Sequence, residues 1–414
     1  MALRAGMHRA GAAALATLLS DRDGHARRTD CECGAQARFH DRRRKRVVTA
    51  LGAVELQRDY FVCPSCRRGQ SPRDRELDVE GVQLSPGVRR MLAAVGSETS
   101  FEQGREQLEL LAGLPLTAKS VERQAEAIGA DMEAGEQREI RRAKQLELPE
   151  VCAPAVPVLY IEMDGTGVPV VHKEREGRAG KAEGQPARTR EVKLGCVFTQ
   201  TKTDPKGRPI RDPDSTSYVA AIEPADKFGP RLYTEAWRRG WSQARKKVVL
   251  GDGAVWIWNL ADQHFPGAVQ IVDLYHARQH IWELAAKLFP HDEPGRKQWA
   301  ARRLDQLEQG DIEALTRSLR ELRPDHDKLA QQLANDAEYF ERNAARMRYP
   351  RFRAQGLFVG SGVVEAGCRT VVGKRLKCSG MFWSVRGANA ILALRCCRLS
   401  GRFEDYWESR SRAA

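Results

Sequence analysis

The chain has 414 residues, with 68 Lys and Arg against 55 Asp and Glu, a formal net charge of +13. A hydrophobic fraction of 42% beside 30% charged residues excludes disorder as the main state, and the length fits two or three domains. No apolar run reaches the roughly 18–20 residues of a membrane span. The short apolar stretch at residues 12–20 lacks a cleavage site, so the expectation is a cytoplasmic protein with no membrane partner. An isoelectric point near 9.4 favours a polyanion as ligand, nucleic acid before a membrane surface.

Residues 1–80 carry a cysteine pattern, Cys31-Glu-Cys33 followed by Cys63-Pro-Ser-Cys66. In a reducing compartment such pairs read as metal ligands rather than disulfides. Two intervening residues let the thiolates of Cys63 and Cys66 meet one tetrahedral Zn²⁺. Between the pairs, residues 46–49 and 54–60 read as a hairpin turning at Leu51-Gly52. The expectation is a zinc ribbon held by Cys31, Cys33, Cys63 and Cys66, with His40 as a substitute ligand. The run Arg42-Arg43-Arg44-Lys45-Arg46 reads as a solvated loop that, lying beside the ribbon, can also touch DNA phosphates.

Residues 81–150 change to a helical texture. Ser85-Pro86 starts one helix by N-cap and N1 logic. Residues 100–111 form a second helix and residues 117–133 a third, with the turn Ala112-Gly-Leu-Pro-Leu116 between them. Short helices joined by a glycine-containing turn predict a helix-turn-helix-like region with the third helix as reader.

After a linker at residues 153–157 the pattern becomes α/β. Strands are predicted at residues 158–163, 193–199 and 218–222, with a charged, glycine-rich hairpin at 173–190 between the first two. A helix at 230–241, a strand at 247–250, a helix at 255–265 and a strand at 268–272 follow. The segment 273–276 leads into another helix. Three hairpin-like strands followed by crossover units is the order of an RNase H-like sheet. Polar helices fill 277–349, residues 356–362 break them, and a helix is expected at 363–376. The tail at 383–399 is apolar enough to pack back on the sheet. No internal repeat is present.

Cutting phosphodiesters with two Mg²⁺ (or Mn²⁺) ions needs three or four converging carboxylates, and hard Asp and Glu oxygens suit those ions. In this strand order the first and fourth strands are neighbours. Asp164 at the end of the first and Asp252 at the end of the fourth then stand side by side, with Glu365 reaching across from the late helix. Asp273, also at a strand end, is a second candidate for the middle carboxylate. His276, three residues on, is placed to contact substrate or Asp273. Arg369, Lys374 and Lys377 follow Glu365 as candidate phosphate contacts. Trp256 and Trp258 read as core, whereas Trp383 is a candidate for stacking on an unpaired base.

The strings Tyr160-Ile-Glu-Met-Asp164-Gly-Thr-Gly, Leu250-Gly-Asp252-Gly-Ala-Val-Trp-Ile-Trp, Asp273-Leu-Tyr-His276 and Gly362-Val-Val-Glu365 resemble the DDE transposases of bacterial insertion sequences, ISKra type. The cysteine pattern, with Thr49-Ala-Leu-Gly52 and Arg58-Asp-Tyr60 between its pairs, resembles the same family's ribbon, and the likeness runs from about residue 28 to 399. The resemblance implies Asp164, Asp252 and Glu365 as the metal-binding triad. It equates Asp273 and His276 with a motif lying between the second Asp and the Glu in related transposases. It also implies that the helical stretch is an insertion interrupting the catalytic fold. The short segment ahead of the ribbon departs from the family pattern, as expected if an N-terminal region is missing or the element has decayed.

The resulting expectation is an α/β protein in five parts. A zinc-ribbon region (1–80) and a helical DNA-binding region (81–150) precede an RNase H-like core (151–276). An all-helical insertion (277–355) separates that core from its last part (356–414). The expected activity is cleavage and strand transfer at insertion-sequence ends, with double-stranded DNA as partner and a dimer or higher oligomer on it. A non-catalytic, zinc-containing DNA-binding regulator and a stand-alone nuclease of the same fold are the alternatives.

Overall fold

The computed structural model describes residues 2–20, 27–148, 155–180, 186–323 and 326–413. The expected linker at 153–157 and the middle of the expected hairpin at 173–190 lie partly outside these residues. The chain forms two compact units, residues 1–132 with 401–414, and residues 133–400.

The first unit begins with helix α1 (Ala2–Leu19), which packs on a four-stranded antiparallel sheet. Its strands β1 (Arg28–Asp30), β2 (Gln36–Thr49), β3 (Gly52–Val62) and β4 (Gly69–Gln70) lie in chain order. Thr49 pairs with Gly52 across the turn, as the Leu51-Gly52 reading predicts, but the hairpin is much longer than the sequence suggested. The basic run is part of β2 and is not a loop. It is tolerated there because acids on the partner strand face it: Arg42 meets Asp59 at 3.3 Å and Arg44 meets Glu55 at 3.3 Å. The short α2 (Pro72–Glu76) contributes Asp74, which ties Lys45 and Arg58 together at 3.0 and 3.2 Å.

Helix α3 (Pro86–Glu98) is capped by the Ser85 hydroxyl, and α4 (Phe101–Gln107) by that of Ser100. The second of these widens into a π-turn at Leu108–Ala112 and stops at Gly113. Helix α5 (Ala118–Lys144) runs well past residue 133. Val88, Leu92, Leu108, Leu114 and Val121 bury the interior of this three-helix group.

The second unit is built on β5 (Val158–Pro169) and β6 (Thr189–Gln200), followed by a small hairpin β7 (Lys202–Thr203) and β8 (Pro209–Ile210). Then come β9 (Ser217–Ala221), α6 (Ala225–Arg238), β10 (Lys246–Gly251), α7 (Val255–His264), β11 (Val269–Val272) and α8 (Leu274–Leu288). The five-stranded sheet has the order β11-β10-β5-β6-β9. Its β5, β6 and β9 form an antiparallel meander, while β10 and β11 run parallel to β5. The first and fourth strands of this sheet are thus adjacent. Helices cover both faces, so the central strands are apolar runs rather than alternating ones, with Leu159, Tyr160 and Ile161 all fully buried.

Helices α9 (Glu293–Gln309), α10 (Ile312–Arg320), α11 (Asp327–Arg342) and α12 (Tyr349–Ala354) have no core of their own. Leu284, Ala300, Leu307, Leu315 and Phe340 belong to the same apolar cluster as the sheet. A continuous helical segment follows: α13 (Gly362–Gly367), a π-turn at Cys368–Gly373, and α14 (Lys374–Leu376). Helix α15 (Val385–Leu399) packs against β9 and fixes it through Asn389, whose side-chain oxygen accepts from the Ile222 N–H at 2.8 Å. The last helix, α16 (Phe403–Ala413), belongs to the first unit. Arg410 there reaches Asp78 at 3.0 Å and Asp131 at 2.8 Å.

Candidate active site and metal centre

The four cysteine thiols of the ribbon converge. Cys31 and Cys66, Cys31 and Cys33, and Cys33 and Cys63 each lie with their Sγ atoms 3.6 Å apart. With Zn–S bonds of about 2.3 Å, a tetrahedron has edges of roughly 3.8 Å, so this thiol set could hold a zinc ion. The Gly34 N–H donates to the Cys31 carbonyl, and the Arg67 N–H to that of Cys63, forming the tight turns that aim both pairs inward. Backbone N–H groups of Cys66 and Ser65 pull the Cys63 thiol down to about 6 against burial, whereas Cys31, despite the Cys33 N–H, is pushed up by burial and its neighbouring thiols, so without a metal the cluster favours a single thiolate at Cys63. His40 is not part of this cluster; it sits in β2 with its ring edge-on to Tyr60.

Asp164 lies within β5 and not at its end, because β6 keeps pairing with β5 out to Pro169 and Thr189. Parallel pairing with β10 stops one residue earlier, at Met163 opposite Gly251. Asp164 and Asp252 are therefore the next residues along two neighbouring strands. The Asp164 carboxylate accepts from the Gly165 N–H at 2.6 Å and the Cys368 thiol at 3.2 Å. Burial pushes its pKa up, the two donors oppose that, and the Asp252 charge raises it further.

Asp252 is set by an Asx turn in which its Oδ1 accepts from the Ala254 N–H at 2.8 Å, opening α7. Its carbonyl accepts from the Tyr339 hydroxyl of α11 at 2.9 Å. Gly253 follows with φ of +97°, and a Cβ there would stand 2.5 Å from the Tyr339 ring, so only glycine allows this approach. Glu365 is exposed in the first turn of α13, with the Ser361 hydroxyl oxygen 3.3 Å away. Cys368, which touches Asp164, is one turn further along the same helical segment.

Asp273 stands beside this set, its N–H donating to the carbonyl of Gly251, the residue before Asp252, at 2.8 Å. It is buried and caps α8, accepting from the N–H groups of Tyr275 (2.6 Å) and His276 (3.4 Å). Its other oxygen accepts from the Ser361 N–H at 3.1 Å and from the Ser361 hydroxyl. Both oxygens accept hydrogen bonds, and through them Asp273 holds the 361 segment against α8. His276 stands edge-on to His280 at 5.0 Å. His280 is stacked on Tyr339 at 4.3 Å and bonded to Asp336 at 2.8 Å.

One carboxyl escaped the sequence reading. Glu162 is fully buried two residues before Asp164, on the same face of β5. Its Oε2 accepts from the Val364 N–H at 2.8 Å, seating the start of α13 on the sheet, while Oε1 has no partner. Burial raises its pKa to about 8, against the Val364 bond, with the Asp273 and Glu365 charges adding to the rise. The only available signal was a glutamate inside an otherwise apolar strand. Among the described residues, the four cysteines are the one set of three or more metal-binding side chains whose ligand atoms all lie within 4.8 Å. The carboxylates of Asp164, Asp252 and Glu365 are spread more widely.

Of the candidate DNA contacts, Arg369, Lys374 and Lys377 are exposed, and the Lys377 ammonium donates to the Thr166 hydroxyl at 2.6 Å, next to Asp164. Trp383 is not available for stacking. It is 5% exposed, its indole N–H donates to the Leu376 carbonyl at 3.1 Å, and the Arg375 guanidinium lies 5.0 Å over its ring. Its neighbour Phe382 is the exposed aromatic, at 62%. Trp258 is buried as expected, and Trp256 packs at the edge of the same core. Arg42, Arg43 and Arg44 are exposed, but each has an acidic neighbour, and Arg43 also covers the Tyr60 ring at 3.5 Å.

No family model matches the chain. It is 23% identical over 388 residues to a Streptococcus gallolyticus protein named "UPF0236 protein in vanSb 3'region", covering 89% of this chain and 76% of that one. Among solved structures it is similar to the Drosophila P element transposase strand transfer complex, at 11% identity and a TM-score of 0.20. That likeness covers 62% of this chain and 67% of the other, and is too slight to carry an argument.

Proposed function

We propose that the chain is a DDE transposase of bacterial insertion sequences, with an RNase H-like core that cleaves and transfers DNA strands at the element's ends. The observation that carries this reading is the pairing of β5 with β10 up to Met163 and Gly251, with Asp164 and Asp252 following in step and the helix of Glu365 seated on the same strand. Hard carboxylate oxygens, close enough for Asp252 to raise the pKa of Asp164, suit divalent Mg²⁺ or Mn²⁺ in their chemistry. Asp164, Asp252 and Glu365 would hold the ions, which when bound activate water and stabilise the attacking and leaving oxygens. Tyr339 positions the Asp252 loop, Asp273 and Glu162 fix the segment that carries Glu365, and Lys377 lies where it can meet a phosphate. The ribbon and helical region of the first unit would bind the terminal repeats, with two ends joined by a dimer or larger assembly.

A non-catalytic, zinc-containing DNA-binding protein is the second reading, favoured by the wide spacing of the three carboxylates beside the tight cysteine cluster. The test is Mg²⁺- or Mn²⁺-dependent cutting of DNA carrying the repeats that flank the gene. Cleavage by the wild type that vanishes in Glu365→Gln, with binding retained, supports the transposase. Binding without cutting by either protein supports the regulator, and cutting by Glu365→Gln removes the triad assignment.

A further inference from the structure

We propose that the groove beside Glu365, between the β7–β8 hairpin, the start of α8 and the segment 357–362, holds an unpaired nucleotide of a DNA strand, its base stacked on Tyr275 and its phosphates against Lys206, Arg208 and Arg353. This deepens the transposase reading and rests on it for the role of Glu365. The groove has a volume of about 910 Å³, far too small for a duplex and ample for a nucleotide, and Glu365 lines one end of it.

Tyr275 is built as a platform. It sits in the first turn of α8 with its backbone N–H bound to Asp273, and the Cδ2–Cε2 side of its ring lies against Gly360. A Cβ at residue 360 would come within 2.7 Å of the ring, so the glycine makes room for the tyrosine here. The side chain is nevertheless 62% exposed, leaving ring surface open to the groove. The floor is rigid as well, since Phe358 packs against the buried rings of Tyr160 and Phe198 at 5.4 and 5.9 Å.

The rim carries three ordered cations, Arg208 paired with Asp204, Arg353 beside Glu308, and Lys206. Asp204 accepts from the N–H groups of Lys206 (2.9 Å) and Arg208 (2.8 Å) and from the Arg208 guanidinium (2.7 Å), fixing the hairpin tip. Arg353 projects from α12 with its nearest acid, Glu308, 3.7 Å away. An apolar floor, an exposed aromatic face and a cationic rim together are the features that bind single strands, where stacking supplies sequence-tolerant affinity and the cations follow the backbone. Strand cleavage at Glu365 requires that a strand pass this point.

The test is fluorescence anisotropy of the full chain with a labelled oligothymidine and with a labelled blunt duplex, without added divalent metal. Tyr275→Ala is expected to weaken single-strand binding about 5- to 150-fold and to leave duplex binding within about twofold, while Tyr275→Phe binds as the wild type does. Lys206→Gln is expected to lower the slope of log affinity against log salt by about 0.7. An oligonucleotide carrying 5-iododeoxyuridine should crosslink under ultraviolet light to the peptide containing Tyr275. Unchanged single-strand affinity in Tyr275→Ala, or crosslinks confined to the first unit, would overturn the proposal. Because no cutting is measured, failure of the metal-ion chemistry leaves this result standing. Loss of the groove likewise leaves the Glu365→Gln comparison intact.

Discussion

Glu162→Gln isolates the energetic consequence of a buried carboxyl. The side chain is fully buried with its pKa held at about 8, chiefly by burial, against the ordinary 4.5. The folded state therefore holds a proton that the unfolded chain releases more readily. Stability is fully present below about pH 4.5, falls as pH rises, and levels off above about pH 8. The whole loss corresponds to about 5 kcal/mol, or roughly 1.4 kcal/mol per pH unit within that window. Glutamine keeps an oxygen for the Val364 N–H and cannot ionise. Its buried amide donors cost about 1–3 kcal/mol if unpaired, at any pH. Urea unfolding of both proteins from about pH 5 to 9, without divalent metal, should show the wild type losing stability relative to the variant as pH rises. A difference that stays flat across that range would refute the reasoning.

Cys63→Ser should bring the zinc content well below the roughly one ion per chain expected of the wild type, with loss of soluble protein, as metal analysis by mass spectrometry would show. Unchanged stoichiometry would remove the ribbon site. Asp273→Asn and Asp252→Asn should part company in the cleavage assay. Asparagine caps a helix about as well as aspartate but turns an NH2 group toward the Ser361 N–H, so the first variant is expected to lose about 5- to 150-fold through the 361 segment. The second is expected to lose about a thousandfold or more, because a metal-binding charge has gone. Equal losses would place Asp273 among the ligands.

The ribbon was readable because thiolate spacing is a short-range constraint that tertiary packing does not alter. The strand order of the second unit was readable because each crossover helix announces itself by its period. What was hidden had tertiary causes. Asp164 reads as the end of its strand, yet β6 pairs far enough to keep it and Gly165 within the strand. The arginine run reads as a loop until the acids of β3 are placed opposite it. Trp383 lies among exposed neighbours, and nothing local tells that Arg375 and the Leu376 carbonyl enclose its ring. Hairpin β7–β8 has two residues per strand, below what any periodicity can register. Glu162 was visible as a letter but not as a role, since an acid in an apolar strand acquires meaning only from what is packed over it.

The parting of β5 and β10 after Met163 and Gly251 means that the opening between Asp164 and Asp252 is drawn by main chain. Substituting the two aspartates can change how that gap reacts without changing how wide it is. Lengthening the stretch from Gly253 to the start of α7 would move one wall while the other, clamped along β6, stays where it is. The fold thus offers its lineage one adjustable jaw and one fixed one, and variation in what fits between them should accumulate on the Asp252 side.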